Sequence, residues 1–228
     1  MARRAATLFS LLRTAIHRLS PGTQFTVYSG YQTPDNAKEY GVDWRYVGEL
    51  QALDMAGCGY GGPPEAIKAT IDALKGIPLV GGIIVTPYNI HETRPPNEMT
   101  SASILRQFFY STGGILAYSY MEMGGHSWHA VSQVSRFVAT FENILLKGTR
   151  FSLKGQDEVS VVGIKYGDTI FICLMNNKSS EETIKVKLPA NFLSGYEFFT
   201  LARIVSNSQI ECSLQPGDAR IYVISTKI

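Results

Sequence analysis

Cysteine is scarce in this 228-residue chain: there are three, Cys58, Cys173 and Cys212, an odd number with no metal-ligand spacing between them. A disulfide framework is excluded, and the three fit free buried thiols with at most one bridge. Long apolar runs are missing too. None approaches the roughly 20 residues of a membrane-spanning helix, so no membrane partner is expected. Charge is sparse and nearly balanced, 21 Lys and Arg against 19 Asp and Glu. No basic run with interleaved aromatics occurs, which argues against nucleic acid as a partner. No Gly-x-Ser-x-Gly elbow is found, so a serine-hydrolase reading has no support. What remains is an ordinary globular composition, 45% hydrophobic with 21 Gly and 10 Pro spread along the chain. Intrinsic disorder, collagen and low-complexity structure are excluded.

The small net charge hides an uneven distribution. Residues 1–34 carry Arg3, Arg4, Arg13 and Arg18 and no acid, so this stretch holds +4 and the remainder −2. An Arg-rich, acid-free, amphipathic start has the profile of an organelle transit peptide. A surface helix of the fold is the better reading, because Leu8, Leu11, Leu12, Ala15, Ile16 and Leu19 form one helical stripe leading directly into a strand. The compartment stays open, since unpaired thiols and the sequon Asn177-Lys-Ser179 point in opposite directions.

Up to about residue 148, short apolar strands alternate with helices. Strands are expected over 24–31, 52–60, 79–85 and 115–120, and helices over 65–75, 100–110 and 127–146, with a segment at 42–50 too brief for a full crossover helix. Pro63-Pro64 opens the helix over 65–75, and Lys147-Gly148 supplies a cation and a C-cap glycine at the end of the last helix. Continuous apolar strands alternating with helices predict a parallel sheet covered on both faces. After Gly148 only short strands follow, over 159–166, 169–175, 183–188, 196–200 and 220–225, separated by turns such as Gly167-Asp168 and Pro216-Gly217-Asp218. The expected organisation is therefore α/β over residues 1–150, followed by a small antiparallel β-sandwich over 151–228.

At this level of detail the chain resembles the C-terminal portion of a glycoside hydrolase, a (β/α)8 barrel with a C-terminal β-sandwich. The resemblance rests on the strand Gly113-Gly-Ile-Leu-Ala-Tyr-Ser-Tyr120, the helix end Phe141-Glu-Asn-Ile-Leu-Leu-Lys-Gly148 and the final Pro216-Gly-Asp-Ala-Arg-Ile-Tyr222. It rests also on Val27-Tyr-Ser-Gly-Tyr-Gln32, Tyr40-Gly-Val-Asp-Trp44 and Leu53-Asp-Met-Ala-Gly-Cys-Gly-Tyr-Gly61, which look like barrel strand ends. A whole TIM-type barrel takes about 250 residues and eight strands. Four units are present here, so the resemblance implies a half barrel that lacks the strand commonly bearing a catalytic carboxylate. It implies a carbohydrate ligand and O-glycosyl hydrolysis, with the isolated chain inactive until the other half is supplied. The alternative is a non-catalytic half barrel that forms a homodimer through its open sheet edges.

Barrel sites gather at the carboxyl ends of strands, and glycoside hydrolysis uses two carboxyl groups flanking the scissile bond. The catalytic candidates are Asp54, Glu122 and Glu92; a structural role for Asp54, hydrogen-bonded inside the barrel, is the competing reading. Candidates for substrate binding are Tyr31, Gln32, Tyr60, His91, His126 and Trp128, chosen as aromatic platforms and hydrogen-bonding groups near strand ends. Trp44, Tyr88 and Tyr120 are further aromatics of this kind. No cofactor is implied: the glycines from Gly57 to Gly62 lack the acid that a dinucleotide loop needs about 20 residues on, where Ile83-Ile84-Val85 stands instead. No metal is expected either, since the spacing of His126 and His129 at a helix start equally suits capping or surface exposure.

Overall fold

The strand signals of the first half resolve into four short strands joined through helices. A computed structural model describes residues 1–59, 64–84, 100–110, 114–118, 123–151, 153, 161–176, 178–204 and 209–226. In chain order these are α1 (Ala2–Leu19), β1 (Thr26–Ser29), α2 (Asn36–Glu39), α3 (Trp44–Glu49), β2 (Met55–Cys58), α4 (Pro64–Leu74), β3 (Leu79–Ile84), α5 (Ser101–Tyr110), β4 (Gly114–Tyr118) and α6 (Gly125–Lys147). The strands pair in the order β1-β2-β3-β4, all parallel.

That order has a geometric consequence. Right-handed crossovers that always step in one direction lay every connecting helix on the same face of the sheet. One buried cluster shows this: Ala6 of α1, Trp44 and Val47 of α3, and Ile67 and Leu74 of α4 join Ala56 and Cys58 of β2 and Leu79 of β3, with Val27 of β1 packed against them. α3 crosses α4 so closely that a Cβ on Gly48 would stand 2.1 Å from the carbonyl oxygen of Ala73. The other sheet face is the concave side of a sheet curling toward a barrel. There Tyr28 and Leu116 are each 46% exposed, where coverage of both faces was expected. Four strands cannot close a barrel, so this face has no opposing wall among the described residues.

The first helix docks differently from the expectation. Ala6 and Phe9 meet the core, whereas Leu8, Leu11, Leu12 and Leu19 face solvent. Polar groups hold the helix: Arg13 and His17 both reach Asp54, and the Arg3 guanidinium lies 5.9 Å from the centre of the Tyr46 ring.

The rest of the chain forms β5 (Thr149–Phe151), β6 (Val161–Tyr166), β7 (Thr169–Met175), β8 (Glu182–Lys187), β9 (Phe192–Glu197), β10 (Gln209–Leu214) and β11 (Ala219–Thr226). A five-stranded sheet, β5-β6-β7-β11-β9, and a two-stranded sheet, β10-β8, are both antiparallel. Ile170, Ile172 and Leu174 of β7 pack with Ile184 and Val186 of β8 and Ile210 and Leu214 of β10, which makes the pair a β-sandwich. The alternate β7 residue Phe171 turns to α6, with ring centroids 5.6 Å from Phe137 and 4.7 Å from Phe141. β7 is thus buried on both faces and reads as the unbroken run Thr-Ile-Phe-Ile-Cys-Leu-Met. The chain divides into two compact units, residues 1–97 with 107–122, and 98–106 with 123–228. The aromatic cluster accounts for α6 falling in the same unit as the sandwich. The strand Gln209–Leu214, absent from the sequence expectation, alternates Ile210, Cys212 and Leu214 with polar residues.

Candidate functional site at the carboxyl ends of the parallel strands

In a parallel sheet the connections leaving the strands all emerge on one side, and ligands bind there. The described part of that rim is the connection from β1 to α3, residues 30–43, together with Gly59 after β2. The connection is wired by buried polar groups. Asn36 accepts from Ser29 Oγ at 3.3 Å and donates from Nδ2 to the Val42 carbonyl at 2.9 Å. The Trp44 indole donates to the Gly30 carbonyl at 2.8 Å, and its backbone N–H donates to Gln32 Oε1 at 2.9 Å. Asp43 caps α3 by accepting from the Arg45 amide at 3.0 Å. The Arg45 side chain, 2.6 Å away at its nearest, holds the Asp43 carboxyl below the usual range.

Several predicted site residues find other uses in this wiring. Tyr31 is 6% exposed and its hydroxyl accepts from Gln107 Nε2 at 2.6 Å, so it packs on the helix side of the sheet. Gln32 spends its carbonyl oxygen on Trp44 and its backbone amide on Thr70 Oγ1 at 2.8 Å. Trp44 is fully buried and serves the core.

Asp54 lies at the opposite end of the sheet. It precedes Met55, the first residue of β2, and its amide donates to the Phe25 carbonyl ahead of β1. Its carboxylate accepts from the Phe25 amide at 2.7 Å, from Arg13 Nε at 2.9 Å and from His17 Nε2 at 2.8 Å. Burial pushes this carboxyl up, but the Phe25 amide, Arg13 and His17 outweigh it and hold the group at about 2. An acid on the amino side of a strand, saturated with donors, ties α1 to the starts of β1 and β2. The competing structural reading fits this placement, and the catalytic one does not.

Glu122, Glu92, Tyr60 and His91 lie outside the described residues. His126 and Trp128 belong to the second unit, in the first turn of α6, where His126 is exposed and Trp128 is 50% exposed. In that unit, grooves of about 470 and 590 Å³ flank β9, the first lined by Glu197, Arg203, Glu211, Arg220 and Tyr222, and neither holds a strand-end residue of the parallel sheet. Among the described residues, no cluster of three or more His, Cys, Asp or Glu is arranged for a metal ion, and no helix is long and apolar enough to cross a membrane.

One strand-end residue escaped the sequence expectation. Tyr28, on the concave face, lies across β2 over Gly57 and Gly59. Its signal is the alternation of Val27, Tyr28 and Ser29 opposite a strand with glycine at every second position.

Compared with solved structures, the chain superimposes on an Anoxybacillus α-amylase with a TM-score of 0.61 at 12% identity, covering 98% of this chain and 57% of that one. The fold is a partial glycoside-hydrolase fold. AmyP with maltotriose bound matches this partial glycoside-hydrolase fold with a TM-score of 0.60 at 11% identity, over 100% of this chain and 64% of its own. The catalytic domain of xylanase C of Talaromyces cellulolyticus, a GH30 enzyme, matches with a TM-score of 0.54 at 15% identity, over 99% and 57%. The chain therefore spans less than two thirds of the solved structures it matches. No protein-family model matches it, and no curated protein sequence does.

Proposed function

We propose that the chain acts on or binds carbohydrate as the C-terminal part of a glycoside hydrolase, with O-glycosyl hydrolysis requiring four further strands to complete the barrel. The observation that carries this reading is the joint presence of a singly wound parallel sheet, β1 to β4 in sequence order, and the β-sandwich, superimposing together on α-amylase and xylanase structures. Glu122 and Glu92 are proposed as catalytic carboxylates; Glu122 follows β4 and Glu92 follows β3 in the chain, as acids on the active rim of a barrel do. Tyr60, His91, His126 and Trp128 are proposed as substrate contacts. Calorimetric titration with a panel of oligosaccharides tests the reading, with binding expected and its absence across the panel counting against it. Restoring a (β/α)4 half upstream should then yield hydrolysis that Glu122→Gln abolishes.

A second reading has its own observation. Tyr28 and Leu116 on the concave face are exposed apolar groups, and β1 and β4 each have an unpaired edge among the described strands. Two copies facing each other would cover them. Light scattering decides: a dimer supports self-association and a monomer at all concentrations rejects it.

A further inference from the structure

We propose that one flank of α1, formed by Leu8, Leu12 and Leu19, is the docking surface for a further βα unit on a (β/α)4 half, a role that rests on the partial-barrel reading above. Contacts on the other side of the helix set the direction of this flank. Arg3 reaches the Tyr46 ring of α3, and His17 reaches Asp54 just ahead of β2, so both mark the side of α1 that faces β2. Leu12 stands nine residues from Arg3, and Leu8 nine from His17. That is about two and a half turns, which puts each leucine on the opposite side of the helix. The flank therefore points away from β2 and past β1, where no strand lies beside β1 among the described residues. Leu8, Leu12 and Leu19 are 54%, 42% and 86% exposed.

Topology names the occupant. A right-handed crossover lays the helix ahead of a strand over the groove between that strand and the parallel one before it. Part of the surface that α1 is shaped to cover thus belongs to a strand outside β1. The helix layer already repeats this packing, with α3 set against α4 at Gly48. A helix against the leucine flank of α1 continues the layer in the other direction. Length agrees, because the chain covers only 57% of the Anoxybacillus α-amylase and 64% of AmyP.

Charge adds a requirement on the partner. Residues 1–34 hold four arginines and no acid, and Arg4 and Arg18 are exposed on the same helix as the leucines. The unit that docks here offers a strand to pair in parallel with the free edge of β1, an apolar helix flank to meet the leucines, and acids at the rim of that helix to meet the arginines.

The test co-expresses the full chain with the first four βα units of the Anoxybacillus α-amylase or of the Talaromyces cellulolyticus xylanase C catalytic domain, each as a separate tagged polypeptide. A 1:1 complex with at least one half is expected by light scattering. Leu8→Gln/Leu12→Gln/Leu19→Gln should weaken it roughly a hundredfold, with Trp44 fluorescence reporting that the fold is kept. Arg4→Glu/Arg18→Glu leaves the leucines in place and should slow association about tenfold, which gives a second readout if the leucine variant fails to fold. Leu193→Gln/Leu201→Gln removes exposed leucines of the other unit and should stay within about twofold of the parent. No complex with either half, or one that the leucine and arginine variants leave unchanged, overturns the docking surface. So does a homodimer of the chain that the leucine variant breaks, which assigns the flank to a second copy. Oligosaccharide binding is measured on the same samples. A leucine-dependent complex that binds no sugar keeps the docking surface and overturns the carbohydrate reading, whereas sugar binding without a complex does the reverse.

Discussion

Replacing Asp54 by Asn removes one negative charge from the junction of α1, β1 and β2 without changing its size. In the folded chain the carboxyl titrates near 2 against an ordinary value of 3.8, a gap worth about 2.4 kcal/mol. Arg13 and His17 are each about a third exposed, so solvent screening trims the expected loss in Asp54→Asn to about 2 kcal/mol at pH 7. The sign follows from linkage. The folded-state value lies below the unfolded one, so the stabilisation is complete above about pH 5 and disappears as pH falls through 3.8 toward 2. At pH 3 the gap between parent and variant should therefore shrink to about 1 kcal/mol. Trp44 is buried in the first unit while Trp128 lies in the second, so Trp44 fluorescence in a Trp128→Phe background reports unfolding of the unit that contains Asp54. Denaturant titrations of parent and Asp54→Asn at pH 7 and pH 3 give the comparison. Equal stability at pH 7, or a gap that does not narrow at pH 3, refutes the reasoning that the Phe25 amide, Arg13 and His17 stabilise the Asp54 carboxylate in the folded chain.

Two further perturbations probe the two cores. Gly48→Ala drives a methyl into the Ala73 carbonyl where α3 crosses α4; it should destabilise the first unit by about 1–3 kcal/mol, read by the same Trp44 signal. Phe171→Ala opens a cavity between β7 and the Phe137 and Phe141 rings of α6. A loss of about 3–5 kcal/mol is expected, with calorimetry showing the second unit melting earlier and the first unchanged.

Much of the architecture was legible in the residues. Apolar runs such as Thr169–Met175 and amphipathic stretches such as Ser101–Tyr110 report burial on their own, because a strand covered on both faces and a helix covered on one need those patterns wherever they lie. β10 was missed because Gln209, Glu211 and Ser213 interrupt its apolar residues, so only one face of the strand carries a burial signal. α1 was misread in orientation: its leucine stripe is the obvious apolar face, but the helix is fastened by Arg13 and His17 to an acid 41 and 37 residues away. Nothing local reveals a partner at that distance.

The candidate site shows the same division. Residue type and spacing were enough to suggest a barrel-like half with a trailing β-sandwich, since these depend on local periodicity and composition. Which end of a strand a side chain occupies depends on pairing direction and register. Asp54 sits before β2 among its donors, and Tyr28 lies on the open face over two glycines. Both assignments follow from contacts between segments far apart in the chain. Periodicity along one strand cannot encode those contacts, whereas packing enforces them through sterics and the need to pair every buried polar group.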